Sequence, residues 1–175
     1  MAIALALLSV TPSSINFGLL TTGATAQASL LLSNAGAATL TGSATISASP
    51  FTIDSGSPFS LEGSASTNLA ISFSPISEGL FSNVVVFASN GGDSTNALLG
   101  RAISPPLLLM PSASDSDFTF SFASLTGFTY LLQYKDSLNE PAWQTLQSVP
   151  GDGTLITLTN SLSAASQRFF RLWVH

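Results

Sequence analysis

The sequence predicts an all-β chain made of two antiparallel β-sandwiches in tandem, and three observations carry that prediction. Apolar residues recur with period two in run after run, as where Ala28, Leu30 and Leu32 alternate with Ser29, Leu31 and Ser33, and no stretch holds a convincing helical period. Turn chemistry interrupts these runs at short intervals, in Asn34-Ala-Gly36, Phe73-Ser-Pro75, Ser89-Asn-Gly-Gly92 and Gly151-Asp-Gly153. Two prolines in Ile103-Ser-Pro-Pro106 stiffen the chain and end any strand ladder, which divides it into residues 1–103 and 104–175.

The elements follow in order. Met1 to Val10 alternates strictly, with Ile3, Leu5 and Leu7 on one face and Ala2, Ala4 and Ala6 on the other, so it reads as the first strand. Nine such residues reach about 30 Å. It does not read as a signal peptide, because it has no basic start and no small-x-small cleavage site before the turn at Thr11-Pro12. Strands are expected over 14–20, 24–33, 39–48, 67–73, 80–88 and 95–99. Leu69, Ile71 and Phe73 alternate with Asn68, Ala70, Ser72 and Ser74, the one-sided burial of a sheet packed on another sheet. The two Asn-Gly turns supply residues that tolerate positive φ where the chain reverses. Beyond the prolines, strands are expected in Asp117-Phe-Thr-Phe-Ser-Phe122, in Gly127-Phe-Thr-Tyr-Leu-Leu-Gln-Tyr134 and in the closing Arg168-Phe-Phe-Arg-Leu-Trp-Val174.

Composition excludes several functions. Of 175 residues only 7% are charged, against about 25% in an ordinary soluble domain. The polar surface is therefore built from Ser, Thr, Asn and Gln. A hydrophobic fraction of 45% with net charge −5 is the reverse of the disordered signature. Four basic residues are too few to neutralise a phosphate backbone, so nucleic acid is a poor partner. Weak charge also gives little repulsion between copies, which permits self-association. Cysteine is absent, so stability rests on sheet pairing and burial without disulfides. No Asn-x-Ser/Thr sequon occurs, and no apolar run approaches the ~20 residues of a membrane span.

Residues 7–103 resemble the Hydin-type, abnormal-spindle-like immunoglobulin-fold domain, including the choice-of-anchor D variant of bacterial surface proteins. Val10-Thr-Pro12, Phe17-Gly18, Asn34-Ala-Gly36, Phe73-Ser-Pro75, Gly79 and Ser89-Asn-Gly91 occupy the family's places in order, although Ser and Ala replace its usual charged strand residues. The resemblance implies a seven-strand immunoglobulin-like sandwich used as a structural or interaction module, with no catalytic residue to carry over. Residues 116–174 are similar to a small C-terminal β-domain of planctomycete and verrucomicrobial secreted proteins. The likeness rests on the Gly127 strand, Ser137-Leu138, Trp143 and the closing Arg-Phe-Phe-Arg-Leu strand, with Phe170 where Tyr is usual. That resemblance implies a fibronectin-like sandwich, again without an active site.

The sequence offers no catalytic residue and points to no cofactor. His175 is the only histidine and ends the chain, so a histidine-based triad has no second member. The one lysine, Lys135, stands in a strand and not in a phosphate loop. Asp115, Asp117 and Asp152 are the carboxylates a Ca²⁺ site would draw on, but edge and turn roles explain them as well. Phe128, Tyr130, Leu132 and Tyr134 share one parity and read as a core face, with Trp143 as a core plug. Trp173 shares its face with Phe169 and Arg171 and is placed to stack under Arg171 at the surface.

Two functions are expected from this. The first is a non-enzymatic extracellular structural protein, the unit of a bacterial surface filament, sheath or layer. In it Ile3, Leu5 and Leu7 would complete a neighbour's sheet, a head-to-tail contact that propagates; the same strand pairing within its own domain is the plain alternative. The second is an adhesion or carbohydrate-binding module of a larger secreted protein, with a surface glycan as partner.

Overall fold

A strand forms wherever the alternating pattern allows one face to be buried and local turns close the ladder. The computed structural model describes residues 4–161 and 167–174, and these hold fifteen strands and no helix. The chain divides into two compact units, Met1–Ser104 and Pro105–His175.

The N-terminal unit contains β1 (Leu8–Thr11), β2 (Ser14–Thr21), β3 (Ala26–Asn34), β4 (Leu40–Ile46) and β5 (Phe51–Ser55). It continues with β6 (Phe59–Leu61), β7 (Ser66–Phe73), β8 (Gly79–Ser89) and β9 (Ser94–Ile103). They form two sheets, in the orders β1-β3-β7-β5 and β2-β9-β8-β4-β6. Every pairing is antiparallel except that of β2 with β9. The predicted alternation decides which residues point inward: Leu30 and Leu32 of β3, Leu69, Ile71 and Phe73 of β7, Val85 and Phe87 of β8 and Leu98 of β9 are all buried.

Phe17-Gly18 breaks the β2–β9 register. Asn16 faces Leu99 and Leu19 faces Arg101, so Phe17 and Gly18 together stand opposite Gly100. Gly18 takes φ +72°, which lets Phe17 turn in against Phe51 and Phe73 at ring separations of 5.8 and 5.6 Å. The paired Phe-Gly is thus a bulge that aims one ring at the core.

The first strand differs from its expectation. Residues 4–7 lie outside the ladder and β1 begins at Leu8, while Met1, Ala2 and Ile3 lie outside the described residues. Leu8 to Thr11 pair with Asn34 to Leu31 of β3. Ala6, Leu8 and Val10 turn toward the core, leaving Leu5 and Leu7 exposed. β5 and β6 are two strands beyond those expected. β6 is only three residues long, and Phe59 and Leu61 are buried because β4 offers them a ladder.

The C-terminal unit contains β10 (Leu109–Ala113), β11 (Asp117–Ala123), β12 (Thr129–Lys135), β13 (Gln144–Pro150), β14 (Leu155–Ser161) and β15 (Phe169–Val174). They form two three-stranded sheets, β10-β11-β14 and β13-β12-β15. Its core holds Phe120, Phe122, Phe128, Tyr130, Leu132, Leu158 and Val174, with Phe122 and Tyr130 at 4.8 Å. Leu132 faces Gln147 while Gln133 faces Thr145, so Leu146 of β13 is a bulge residue without a partner.

Candidate binding surfaces

The predicted self-association residues divide between what the structure describes and what it does not. Ile3 lies outside the described residues. The backbone of residues 5–8 is held within its own unit. The Leu5 carbonyl accepts from the Ala37 and Ala38 amides, the Leu7 carbonyl accepts from Ala35, and the Leu8 amide donates to Gly91. Gly36 is required here, because a Cβ at that position would lie 2.1 Å from the Leu5 carbonyl oxygen. The side chains point the other way: Leu5 is 70% exposed and Leu7 54%.

Asn34 organises this end of the sandwich. Its Oδ1 accepts from the Leu7 and Gly36 amides at 3.2 and 3.0 Å. Its Nδ2 donates to the carbonyls of Ala38, Leu61 and Glu62 at 2.7, 3.1 and 3.1 Å. The side chain is buried and ties the entering chain, the β3–β4 turn and the residues after β6 to one amide. The Asn-x-Gly motif names this position, but only the fold supplies its partners. Asn90 acts similarly, accepting from the Thr41 amide and donating to the Thr39 carbonyl.

The outer face of β9 and β8 carries large apolar side chains among polar ones. Leu80, Val84 and Val86 of β8 and Leu99 of β9 are exposed there, Leu80 by 83%. Where β2 slips past Gly100, a groove of about 430 Å³ opens, lined by Gly18, Leu19, Leu80, Leu99 and Arg101 among others.

The candidate Ca²⁺ carboxylates are not brought together. Asp117 begins β11, whereas Asp152 bonds Ser124 just beyond its far end, about 20 Å away at the rise of a strand. Asp152 Oδ1 accepts from the Thr154 amide and hydroxyl and from Ser124, and these bonds, Thr154 first, hold its pKa below the ordinary 3.8. Its role is to close a turn. Among the described residues no group of three or more His, Asp or Glu is placed to hold a metal ion. His175 lies outside them.

The outer face of the β13-β12-β15 sheet carries the aromatic array. Trp173 pairs with Leu131 in the ladder, Arg171 with Gln133 and Phe169 with Lys135, all on the face away from the core. Trp143 lies on this face and not in the core, which corrects its reading as a plug. The Arg171 guanidinium lies 4.5 Å from its ring centre and the Lys135 ammonium 5.4 Å. The physical reason is that Lys135 is buried with no carboxylate partner among the described residues. The indole covers its charge while the ammonium donates a hydrogen bond to the Glu140 carbonyl. Arg171 Nε donates to Gln133 Oε1 at 2.8 Å, and Gln133 Nε2 donates to Thr145 at 3.2 Å. Trp173, 54% exposed, has the Arg171 guanidinium 5.7 Å from its ring centre.

Tyr134 also departs from expectation. It lies at the end of the core face, half-buried, with Arg168 4.2 Å over its ring. Arg168 in turn grips Asp136 with two bonds, Nε to Oδ1 at 2.7 Å and Nη2 to Oδ2 at 3.1 Å. The Arg168 hydrogen bond holds the Asp136 carboxyl below its ordinary 3.8. Its contribution to stability is complete above that ordinary value and disappears as pH falls through the lower folded value. Acid titration of unfolding is therefore expected to show a loss below about pH 3.8 that Asp136→Asn removes. A curve of unchanged shape in the variant would remove the pair from the stability of this unit.

Two facing sheets, a β2 strand running parallel to β9 and exposed outer faces define an immunoglobulin-type β-sandwich module. The chain belongs to the HYDIN/CFA65/VesB-like Ig-like domain family, whose model matches residues 6–100. Among solved structures it is similar to the ASH / PapD-like domain of human CEP192, with 18% identity and TM-score 0.49 over 55% of this chain and 85% of that one. It is also similar to the secreted serine protease VesC of Vibrio cholerae, with 13% identity, TM-score 0.43, and 97% and 46% of the two chains covered. For the VesB protease of Vibrio cholerae the values are 17%, 0.41, 55% and 32%. The chain thus spans less than half the length of VesC and about a third of VesB. No curated protein sequence matches it. Among the described residues no helix is long and apolar enough to cross a membrane.

Proposed function

We propose that this chain is a non-enzymatic structural and interaction module of a bacterial extracellular or cell-surface protein, presenting sheet faces to partners, further copies of itself first among them. The observation that carries this reading is the exposed row of Leu80, Val84, Val86 and Leu99 on the outer face of β8 and β9. An antiparallel sheet turns its polar face to water, and four large apolar side chains there, interspersed with Ser82, Thr95 and Arg101, mark a contact surface. Only 7% of the residues are charged, so little repulsion opposes association. Leu5 and Leu7 are further exposed apolar side chains of the same unit. Donating the N-terminal strand to a neighbour would first break its bonds to Ala35, Ala37, Ala38 and Gly91, so the geometry favours assembly through side chains on intact domains.

Sedimentation equilibrium and electron microscopy test this. The full chain is expected to exceed its 18.0 kDa monomer mass with rising concentration, and the Leu80→Asp/Leu99→Asp variant to remain monomeric. Assembly lost on deleting residues 1–7 but kept in the double aspartate variant would restore strand donation. A full chain that stays monomeric at every concentration sinks self-assembly. A second reading, an adhesive module of a longer secreted protein, is favoured by the exposed Trp173 beside Arg171.

A further inference from the structure

We infer that the outer face of the β13-β12-β15 sheet is a binding site for an acidic polysaccharide, with Trp173 stacking a sugar ring and Arg171 taking its carboxylate. This rests on the adhesive reading and gives it a ligand class.

Four observations carry the inference. Trp173 presents a broad aromatic plane that is more than half exposed, on a strand fixed by its ladder to β12. Sugar C–H groups pack on such a plane as other apolar edges do. Next, Arg171 is already oriented. Its Nε is bonded to Gln133, its guanidinium packs on Trp143, and no carboxylate pairs with it among the described residues. The two terminal nitrogens therefore remain as donors for an incoming anion, and a guanidinium fork matches a carboxylate. Third, the charge is local and opposite to that of the molecule. Arg171 is one of only four basic residues and stands on the outer face of a chain with net charge −5, with Lys135 buried beneath Trp143 on the same side of the sheet. Finally, the strand spacing fits a chain of sugars. The row Trp173–Leu131–Ser148 lies beside the row Arg171–Gln133–Thr145, each crossing three strands and about 10 Å. Ser148 and Thr145 end those rows as exposed hydroxyls.

The Arg171 guanidinium carbon lies 5.7 Å from the Trp173 ring centre, so an anion bound by it sits beside a sugar held on the indole. A pyranose on the part of the indole that Arg171 leaves open is able to turn a C5 carboxylate toward those nitrogens. A neutral hexose offers only a hydroxymethyl group there, so it loses the charge-assisted bonds. Uronate-containing polymers are the ligands this geometry selects.

The test uses the full chain, whose two tryptophans give separate indole N–H resonances, assigned with Trp173→Ala. Hexagalacturonate and neutral cellohexaose are the probes. The Trp173 resonance is expected to shift and saturate with hexagalacturonate at a concentration about tenfold lower than with cellohexaose. Arg171→Gln is expected to erase that tenfold preference and leave the neutral affinity within about twofold. Trp173→Ala is expected to abolish both without changing the melting curve. Should that variant fail to fold, Trp173→Phe supplies the same readout as a weakened affinity for both sugars. Absence of any shift at about 20 mM of either sugar, far above the useful range, overturns the site. Sugar binding that survives Trp173→Ala also overturns it, while leaving the adhesive reading standing elsewhere on the chain. Shifts that appear with protein concentration alone and vanish in Arg171→Gln would put an acidic segment of another copy in place of the sugar.

Discussion

Asn34→Ala is expected to destabilise the N-terminal unit by about 3 kcal/mol, read as a fall of roughly 15 °C in its melting midpoint. The side-chain amide binds five backbone groups, its two N–H hydrogens shared among the Ala38, Leu61 and Glu62 carbonyls and its Oδ1 accepting from the Leu7 and Gly36 amides. Truncation strands these backbone groups at a buried position, and an unmatched buried polar group costs about 1–3 kcal/mol. Partial hydration of the outer ones keeps the total below the sum. Asn34→Asp separates hydrogen bonding from packing. It keeps the shape but points a carboxylate at three carbonyl oxygens, so its pKa is raised above the ordinary value. Such a raised acid destabilises above its unfolded pKa of about 3.9, and stability is expected to recover as pH falls toward that value. Equal stabilities for wild type and alanine variant in urea would show that water satisfies all five backbone groups.

Phe73→Ala is expected to cost about 4 kcal/mol, the largest effect of any single side chain in the unit. Phe73 is fully buried and lies 4.9 Å from Phe51, 5.6 Å from Phe17 and 5.7 Å from Phe81, so four strands meet on its ring. The ring also lies against Gly100 of β9, where a Cβ would approach it to 2.6 Å. Gly100→Ala alone is therefore expected to destabilise by overpacking, about 1–3 kcal/mol. In the Phe73→Ala background the added methyl enters the vacated space, so the two costs are expected not to add. Additive losses in denaturant melts of the two single variants and the double variant would show that ring and glycine do not share a contact.

Several parts of this were legible because they are local. The alternations through Leu30, Leu32, Leu69, Ile71 and Phe73 place these residues in the core whatever the partner strand, since side chains change face at every residue. Asn34, Phe73, Asn90 and the Phe-Gly pair were recognisable as motif positions, and each proves to be a contact that the sandwich requires. β6 was not legible, because Phe59 and Leu61 alone make no period and their strand exists only as a ladder with β4. The outer row of Leu80, Val84 and Val86 was hidden in an apolar run. Both faces of β8 are hydrophobic, and only packing against the other sheet chooses Phe81, Val85 and Phe87 for the inside.

The aromatic residues of the C-terminal unit make the same distinction. Parity put Trp173 and Arg171 on one face, and the ladder keeps them there. Parity alone says nothing about Trp143, which stands before β13, and its place over Lys135 and Arg171 follows from the burial of a lysine without an anion. By itself, then, the sequence determined strand faces, turns and the all-β class, since these depend on backbone geometry within a few residues. Tertiary structure alone decided which face is inside, which strands share an edge and where isolated cations find aromatic cover. Those outcomes depend on groups far apart in the chain, and a buried charge or an open ladder takes the best partner that the fold brings near.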